Sequence, residues 1–391
     1  MISNRRFWLR WALALALVTL AVAWGISQWH LSRYTRLIED RLVLLGDLRS
    51  GAVQNYLTTA SAELKFWSSS PGLLDLHQRL VQAWIVDDDE AHAQALRRVY
   101  IVDNPYPVGE RAELLQADDS PYSLLHAEMH EMARRFVTER GYYDFFLIGM
   151  DGYIEYTVEK EDDFATNLVD GPFADTGLAT VFHRAVERPE EVALSDLERY
   201  APSSDAPALF MAIALQEADG GVTGVLAFQL PTDRFLEIMN YTSGMGETGE
   251  TYLVGEDKLM RSNSRFFDTS TVLVQSVDSA TVRLALAGQQ GVQYTQDYRG
   301  VEVLSAYSSI EVGDNRWALM AEIDRAEVQQ GAAGERPALA GILSLFYGLS
   351  LWSVWYWRGR TLPNAAQDVA SLAPEGALQV ADDAAGGLGA G

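Results

Sequence analysis

Residues 142–168 read YYDFFLIGMDGYIEYTVEKEDDFATNL. A short apolar run, 145–148, leads to Asp151-Gly152, a strong signal for a tight hairpin turn, and β-prone residues resume over 153–158. The charged stretch after them reads as a loop that closes something. Such a hairpin opens a small antiparallel sheet with a helix over one face. A second hairpin of the same kind stands further on, at 252–262 (YLVGEDKLMRS).

Downstream of the first hairpin, 173–187 reads as a helix stopped by Pro189. Apolar β-type runs follow at 192–200 (weakly), 208–215 and 222–230, the last two joined by the turn Ala218-Asp219-Gly220-Gly221. These complete one sheet with one lid helix. A short helix, 234–240, crosses to the second hairpin, which is followed by a helix at 279–286 and strands at 292–295, 301–307 and 317–323. The order β-β-α-β-β-β thus occurs twice, as a structural repeat and not as a sequence repeat.

Upstream, 33–68 reads as one long helix. Ile38, Leu42, Leu45, Leu48, Ala52, Tyr56, Ala60, Leu64 and Trp67 recur every three or four residues. Ser69-Ser70-Pro71-Gly72 ends it, and a helical segment over 73–98 is broken by the acidic run 87–90, read as a solvated turn. Asn104-Pro105-Tyr106-Pro107 forces extended structure, and a helix over 122–140 leads into the first hairpin.

Arg5, Arg6 and Arg10 precede an apolar stretch at 11–29, about 19 residues and enough to span a bilayer. Ala21-Val22-Ala23 offers a cleavage site, but the apolar run continues past it through Trp24 and Ile26 to an interfacial Trp29, which favours a retained span. A second span is read at 337–357, followed by Arg358 and Arg360. Both spans carry their basic flank on the terminal side. The expected plan is therefore a cytoplasmic N-terminus (1–10), a first span (11–29), an extracytoplasmic region (30–336), a second span (337–357) and a short disordered cytoplasmic tail (358–391).

The chain of 391 residues has room for two or three domains, and it contains no cysteine, so it has neither disulfides nor thiolate chemistry. A formal net charge of −24 argues against a nucleic-acid partner. Gly244-Met245-Gly246-Glu247-Thr248-Gly249 fits G-x-G-x-x-G but follows a helix and precedes a strand, the reverse of a dinucleotide site, and reads as a turn. His126 and His130, four apart on a helix, have no third ligand in view, so no metal is assigned. Ser195-Asp196 lies on no nucleophile elbow. No enzymatic activity, catalytic residue or cofactor is expected.

The set that looks like a site is Tyr143, Asp144, Tyr156, Thr157, Asp175, Tyr200, Asp205 and Phe210, all at strand ends, on the lid helix or in a loop of the first module. Aromatics with a few carboxylates suit a small polar-organic or cationic ligand. The bland alternative is that the aromatics are sheet core and the aspartates turn caps.

Over 31–330 the chain resembles the double Cache ectodomains of bacterial chemoreceptors, sensor kinases and membrane nucleotide cyclases. The resemblance is carried by NPYPVGE (104–110), YSLLHAEMH (122–130), residues 140–168, GVLAFQLP (224–231), GETGETYLVGEDKLMRSNSRF (246–266) and DYRGVEVLSAY (297–307). It implies an α+β architecture: a long N-terminal stalk helix with two PAS-like antiparallel-sheet modules, distal about 100–231 and proximal about 246–324, flanked by two transmembrane helices. The implied protein is a multi-pass inner-membrane sensor with a large periplasmic domain and its ligand in the distal module. Members that bind amino acids through an Arg-x-Trp-Tyr motif carry it on the helix matched by 173–187. Asp175, Thr176 and Leu178 stand there instead, which argues against that mode of recognition. Family receptors continue into a signalling domain after the second span. The short segment here leads to the expectation of a sensor working through a homodimer or a separate signalling membrane protein. A periplasmic scaffold and a truncated receptor are the alternatives.

Overall fold

The computed structural model describes residues 2–84, 89–333 and 336–361. The tail from 362, residues 334 and 335, and residues 87 and 88 of the acidic run lie outside the described residues. Among the described residues there are two units, residues 36–328 and the two terminal segments, which run up to residue 35 and from residue 329.

The elements run in the order α1 (Ile2–Ser68), α2 (Pro71–Trp84), α3 (Asp89–Arg97), α4 (Pro121–Arg140), β1 (Asp144–Gly149), β2 (Ile154–Thr157), α5 (Gly177–Glu187), β3 (Ala193–Leu194), β4 (Glu198–Tyr200), β5 (Ala206–Gln216), β6 (Val222–Leu230), α6 (Asp233–Asn240), β7 (Glu250–Val254), α7 (Ala280–Leu286), β8 (Gly291–Gln296), β9 (Glu302–Val312), β10 (Asn315–Asp324), α8 (Arg325–Ala333) and α9 (Arg336–Thr361). Both sheets are antiparallel. The first has the order β2-β1-β6-β5-β3, with β4 also on β5, and the second β7-β10-β9-β8. In each module the first strand therefore pairs with the last, and β1-β6-β5 of the six-stranded sheet matches β7-β10-β9 of the four-stranded one.

The expected second hairpin is present in reduced form. After β7 the chain turns back through Gly255, whose N–H donates to Leu259 O, and makes only an isolated bridge between Val254 and Met260. The returning segment is divided between two neighbours: Arg261 N–H reaches Leu253 O, while Met260 N–H reaches Gln275 O. The lid helix α5 begins at Gly177 rather than at 173. Gly171-Pro172 makes turns there, and the Thr176 side chain caps the helix by accepting from Ala179 N.

Helix α4 starts at a Ser120 cap with Pro121 in its first turn and stops at Gly141, whose φ of 72° is the left-handed conformation that ends helices. Along α1 the buried stripe is Ile38, Leu42, Gly46, Val53, Leu57, Ala60 and Leu64. The sequence placed Leu48 and Ala52 on that stripe, and both are exposed. Gly46 is the reason for the shift. A Cβ there would lie 3.3 Å from Leu319 of β10, so helix and sheet are in close contact at a residue without a side chain.

The first sheet is covered on both faces, which is why β1 is buried at every position. Phe145, Leu147, Leu226 and Phe228 join the core that includes Leu57, Leu64, Leu80 and Met129 of α1, α2 and α4. Phe146, Ile148, Ala212 and Ala227 join Leu178, Val181 and Phe182 of α5. A bulge at Glu155 separates the pairs Ile148–Ile154 and Leu147–Tyr156, and turns the Glu155 carboxylate toward His77 of α2, 3.5 Å away. Gly224 on β6 makes room for that histidine. A Cβ at 224 would lie 2.6 Å from His77 Cε1 and 2.7 Å from Ile148 O. Gly224→Ala is expected to cost about 1–3 kcal/mol by overpacking, measured by denaturant unfolding. A loss below the error of that measurement would show that His77 moves freely.

The part of α1 from Arg10 is long and apolar enough to cross a membrane. Its large side chains are turned outward, among them Trp11, Leu13, Leu17, Leu20 and Trp24. Within α9 the describable apolar stretch, Gly341–Ser353, is shorter than a bilayer crossing.

Candidate functional site

One end of the first sheet, on the α5 face, is polar. Asp144 opens β1 opposite Gln229 of β6, and Gln229 lies opposite Phe210 of β5. Thr157 closes β2 beside them. Two loops cover this end, one over 158–168 and one over 201–205. Lys160 and Ala165 in the first, and Ser204 and Asp205 in the second, all hold left-handed φ between 54° and 61°, a conformation that is uncommon without glycine. The loops are latched to each other: Ser203 Oγ donates to Glu161 Oε2 at 2.5 Å, and Tyr200 OH to Asp163 Oδ2 at 2.6 Å. Tyr143, half-exposed at the edge, donates to Glu161 Oε1 at 2.7 Å.

The carboxylates differ in what remains free on them. Asp144 is saturated. Its Oδ1 accepts from the N–H groups of Phe145, Val158 and Glu159, at 2.6, 2.7 and 3.2 Å, and its Oδ2 accepts from Thr157 Oγ1 at 2.5 Å. Asp163 has only Tyr200, and its Oδ1 is buried without a partner. Gln229 Oε1 is likewise buried and unpartnered, although its Nε2 reaches Ser203 Oγ at 3.2 Å. Lys160 is buried too. Its Nζ donates to Thr157 O and lies 4.4 Å from the Tyr156 ring centroid and 5.3 Å from that of Phe164. Burial pushes its pKa down, against the raising pull of Asp144.

Burial, followed by Glu161 repulsion, outweighs the Tyr200 hydrogen bond and pushes Asp163 up to about 7. An unfolded aspartate titrates near ~3.9. A raised folded pKa contributes stability that is complete below the unfolded value and is lost as pH rises through about 7. Asp163→Asn keeps the neutral form at every pH. The melting temperature of the wild type is therefore expected to fall relative to that of Asp163→Asn between pH 4 and 7.5. A constant difference across that range would show that Asp163 is not a buried neutral acid.

The eight residues expected to form a site are divided by the fold. Asp144, Thr157, Tyr200 and Phe210 come together, buried, on the α5 face, with Tyr200 and Phe210 packed edge-to-face at 4.8 Å. Tyr143 borders them. Tyr156 turns to the opposite face, where its hydroxyl meets His130 Nδ1 at 2.7 Å. Asp175 and Asp205 are exposed; Asp205 pairs with Arg199 at 3.5 Å. Asp163, Glu161, Ser203, Gln229 and Lys160 were not singled out from sequence.

His126 and His130 stack at 4.6 Å between ring centroids. His130 Nε2 bonds Ala112 O at 2.7 Å and so must donate, leaving Nδ1 to accept from Tyr156. His126 Nδ1 bonds Leu115 O at 2.7 Å, which leaves only its Nε2 free. Burial pushes His130 down to about 3, so the ring is neutral. The pair therefore does not offer two nitrogens to one ion. The 244–249 loop is a turn held by Glu327, which accepts from the N–H groups of Glu247 and Thr248 at 3.0 and 2.7 Å. Ser195 Oγ donates to Asp196 O and accepts from Phe210 N, so it is a backbone organiser.

No protein-family profile matches the chain, and no curated protein matches its sequence. Among solved structures the chain is similar to Cache-type ligand-binding domains of chemoreceptors. One is the ligand-binding domain of the Pseudomonas aeruginosa PAO1 amino-acid chemoreceptor PctC in complex with GABA, at 13% identity and a TM-score of 0.45, covering 73% of this chain and 100% of that one. Another is the sensory domain of the Campylobacter jejuni chemoreceptor Tlp3, at 11% identity and a TM-score of 0.47, covering 77% and 99%. A third is the ligand-binding domain of the Pseudomonas fluorescens chemoreceptor CtaA in complex with L-leucine, at 12% identity and a TM-score of 0.40, covering 76% and 96%.

Proposed function

We propose that the chain is a membrane-anchored sensor of a small amine-bearing molecule, received in the first module between the sheet and α5. The observation that carries this reading is the imbalance of the polar end. Asp163 Oδ1 and Gln229 Oε1 are buried acceptors without donors, and a buried acceptor without a partner costs about 1–3 kcal/mol. A ligand with N–H donors and positive charge satisfies both, and the aromatic rings of Tyr200 and Phe210 suit it further. Access requires the latch between 158–168 and 201–205 to open.

The test is a thermal-shift screen of the purified full-length chain against primary amines and quaternary ammonium compounds, with carboxylic acids of matched size as controls. Amines are expected to raise the melting temperature, and Asp163→Asn to weaken the best of them at least tenfold. Equal shifts from amines and acids, or an unchanged affinity in Asp163→Asn, would remove the assignment.

The membrane plan belongs to the same proposal: spans at 11–29 and 337–357, residues 30–336 outside, and signalling through a second copy or a separate membrane protein. The flanking arginines support it, as do the exposed Leu37, Leu44 and Leu48 on α1, which share one side of the helix and remain uncovered. Reporter fusions after Ser70 and after Arg360 should fall on opposite sides of the membrane. Location on the same side would refute the two-span plan.

A further inference from the structure

The second module has a polar centre with no part in the site above. Glu250 on β7, Glu322 on β10 and Asp297 in the turn after β8 each bring a carboxylate oxygen within 4.8 Å of the others, and all three are buried. The sheet register makes the cluster: Glu322 lies directly opposite Glu250 on one side and Ser305 of β9 on the other. Tyr298 OH and Ser264 Oγ donate to Glu250 at 2.6 and 3.1 Å, and Tyr252 OH donates to Glu322 Oε2 at 2.9 Å. Asp297 accepts from Arg299 Nε at 2.7 Å and from the N–H groups of Arg299 and Val301 at 2.8 and 3.0 Å.

These contacts do not balance the charge. Arg299 is the cation beside the cluster, and it is shared with Asp324 at 2.6 Å. Two oxygens are also left over. Glu322 Oε1 is buried with no partner, on a side chain that is 1% exposed. Ser305, fully buried and directly opposite Glu322, brings its hydroxyl close enough to favour the Glu322 carboxylate but not into a well-formed hydrogen bond, so it points into the cluster with capacity to spare. Three buried carboxylates thus meet with one shared guanidinium beside them and an unpartnered oxygen among them, so the cluster is one that a cation would relieve.

We propose that Glu250, Asp297 and Glu322, with the Ser305 hydroxyl, form a binding site for a hard divalent cation, Ca2+ in the first instance. Every available ligand is oxygen, and there is neither imidazole nor thiolate to favour a softer metal. Calcium takes oxygen ligands at about 2.3–2.6 Å in flexible geometry, so oxygens across one ion stand up to about 5 Å apart, matching the cluster. Magnesium demands a tighter octahedron and keeps several waters, for which a cluster built into paired strands is less suited. The ion would join β7 and β10 to the β8–β9 turn, and so stiffen the module from its centre.

The experiment is a Ca2+ titration of the full-length chain, stripped with chelator, read by melting temperature and by isothermal titration calorimetry. The expected result is a rise in melting temperature, one high-affinity equivalent of Ca2+, and a smaller response to Mg2+ at the same concentration. Glu322→Gln, close in size and shape, is expected to weaken the half-saturating concentration at least tenfold, and Ser305→Ala by a smaller factor. Asp297→Asn provides a second carboxylate variant should Glu322→Gln fail to fold. Equal half-saturation in wild type and either carboxylate variant would assign the ion to the acidic surface and overturn the proposal. No response of the wild type at millimolar Ca2+ would overturn it as well, leaving a shared proton as the way in which the carboxylates coexist.

Discussion

Replacing Asp196 with alanine is expected to destabilise the chain by about 2–5 kcal/mol, the range for removing one partner of a buried, hydrogen-bonded ion pair. Asp196 lies in the β3–β4 turn of the first module, and its carboxylate is held by the second. Arg261 reaches it through Nε at 3.2 Å and Nη2 at 2.7 Å, and Trp317 Nε1 donates to the same carboxylate at 2.8 Å. The Arg261 side chain is 1% exposed and that of Asp196 31%, so truncation leaves a buried guanidinium that water reaches only from the Asp196 side. Asp257 at 2.9 Å and Leu259 O at 3.0 Å remain to it, which holds the effect within that range. Denaturant unfolding measures the loss, and Asp196→Ala in an Arg261→Met background isolates the pair, because the second substitution removes the stranded charge. A single-variant loss under ~1 kcal/mol, the scale of an exposed ion pair, would show that this clamp contributes little to joining the modules. The same clamp gives a route between modules. Glu198, two residues beyond Asp196, accepts the Gly177 N–H at the start of α5, so the lid helix and the second module hold opposite ends of one short segment.

The local elements were legible because local chemistry determines them. Asp151-Gly152 marked the first hairpin, the reading of a helix over 122–140 matches α4, and the turn at 218–221 marked the joint between β5 and β6. What escaped depended on partners distant in sequence. The stripe on α1 slipped at Leu48 and Ala52 because close contact with β10 falls at Gly46, and periodicity in apolar residues cannot count a glycine as buried. Tyr156 and Thr157 were assigned to one site, whereas neighbours along a strand face opposite sides, and the bulge at Glu155 decides which: Tyr156 takes the stalk face, opposite to Ile154. The run 159–163, EKEDD, reads only as part of a closing loop, with no sign that Lys160 and Asp163 are buried within it. Composition gave no sign of that, because their burial rests on Tyr156 and Phe164 around the ammonium and on Tyr200 at the carboxylate.

Asp144→Ala and Asp163→Asn are expected to fail in opposite ways, and the contrast decides which carboxylate serves the ligand. Alanine at 144 leaves the N–H groups of Phe145 and Val158 buried without acceptors, and removes the partners of Glu159 N and Thr157 Oγ1. Each stranded donor costs about 1–3 kcal/mol, so the whole is about 3–5 kcal/mol when neighbours relax in part. The loss falls on the joint between β1 and the end of β2, and unfolding should report it without any ligand. Asp163→Asn strands little, because Tyr200 OH can donate to an amide oxygen as it does to the acid. Its stability is expected to match or exceed that of the wild type at pH 7, where the buried acid titrates. What it loses is the anionic acceptor, so its deficit should appear only in the response to amines. If Asp144→Ala folds with full stability, its hydrogen bonds are dispensable and it returns as a ligand carboxylate. If Asp163→Asn unfolds, the Tyr200–Asp163 contact is a structural latch, and the amine must be sought elsewhere in the module.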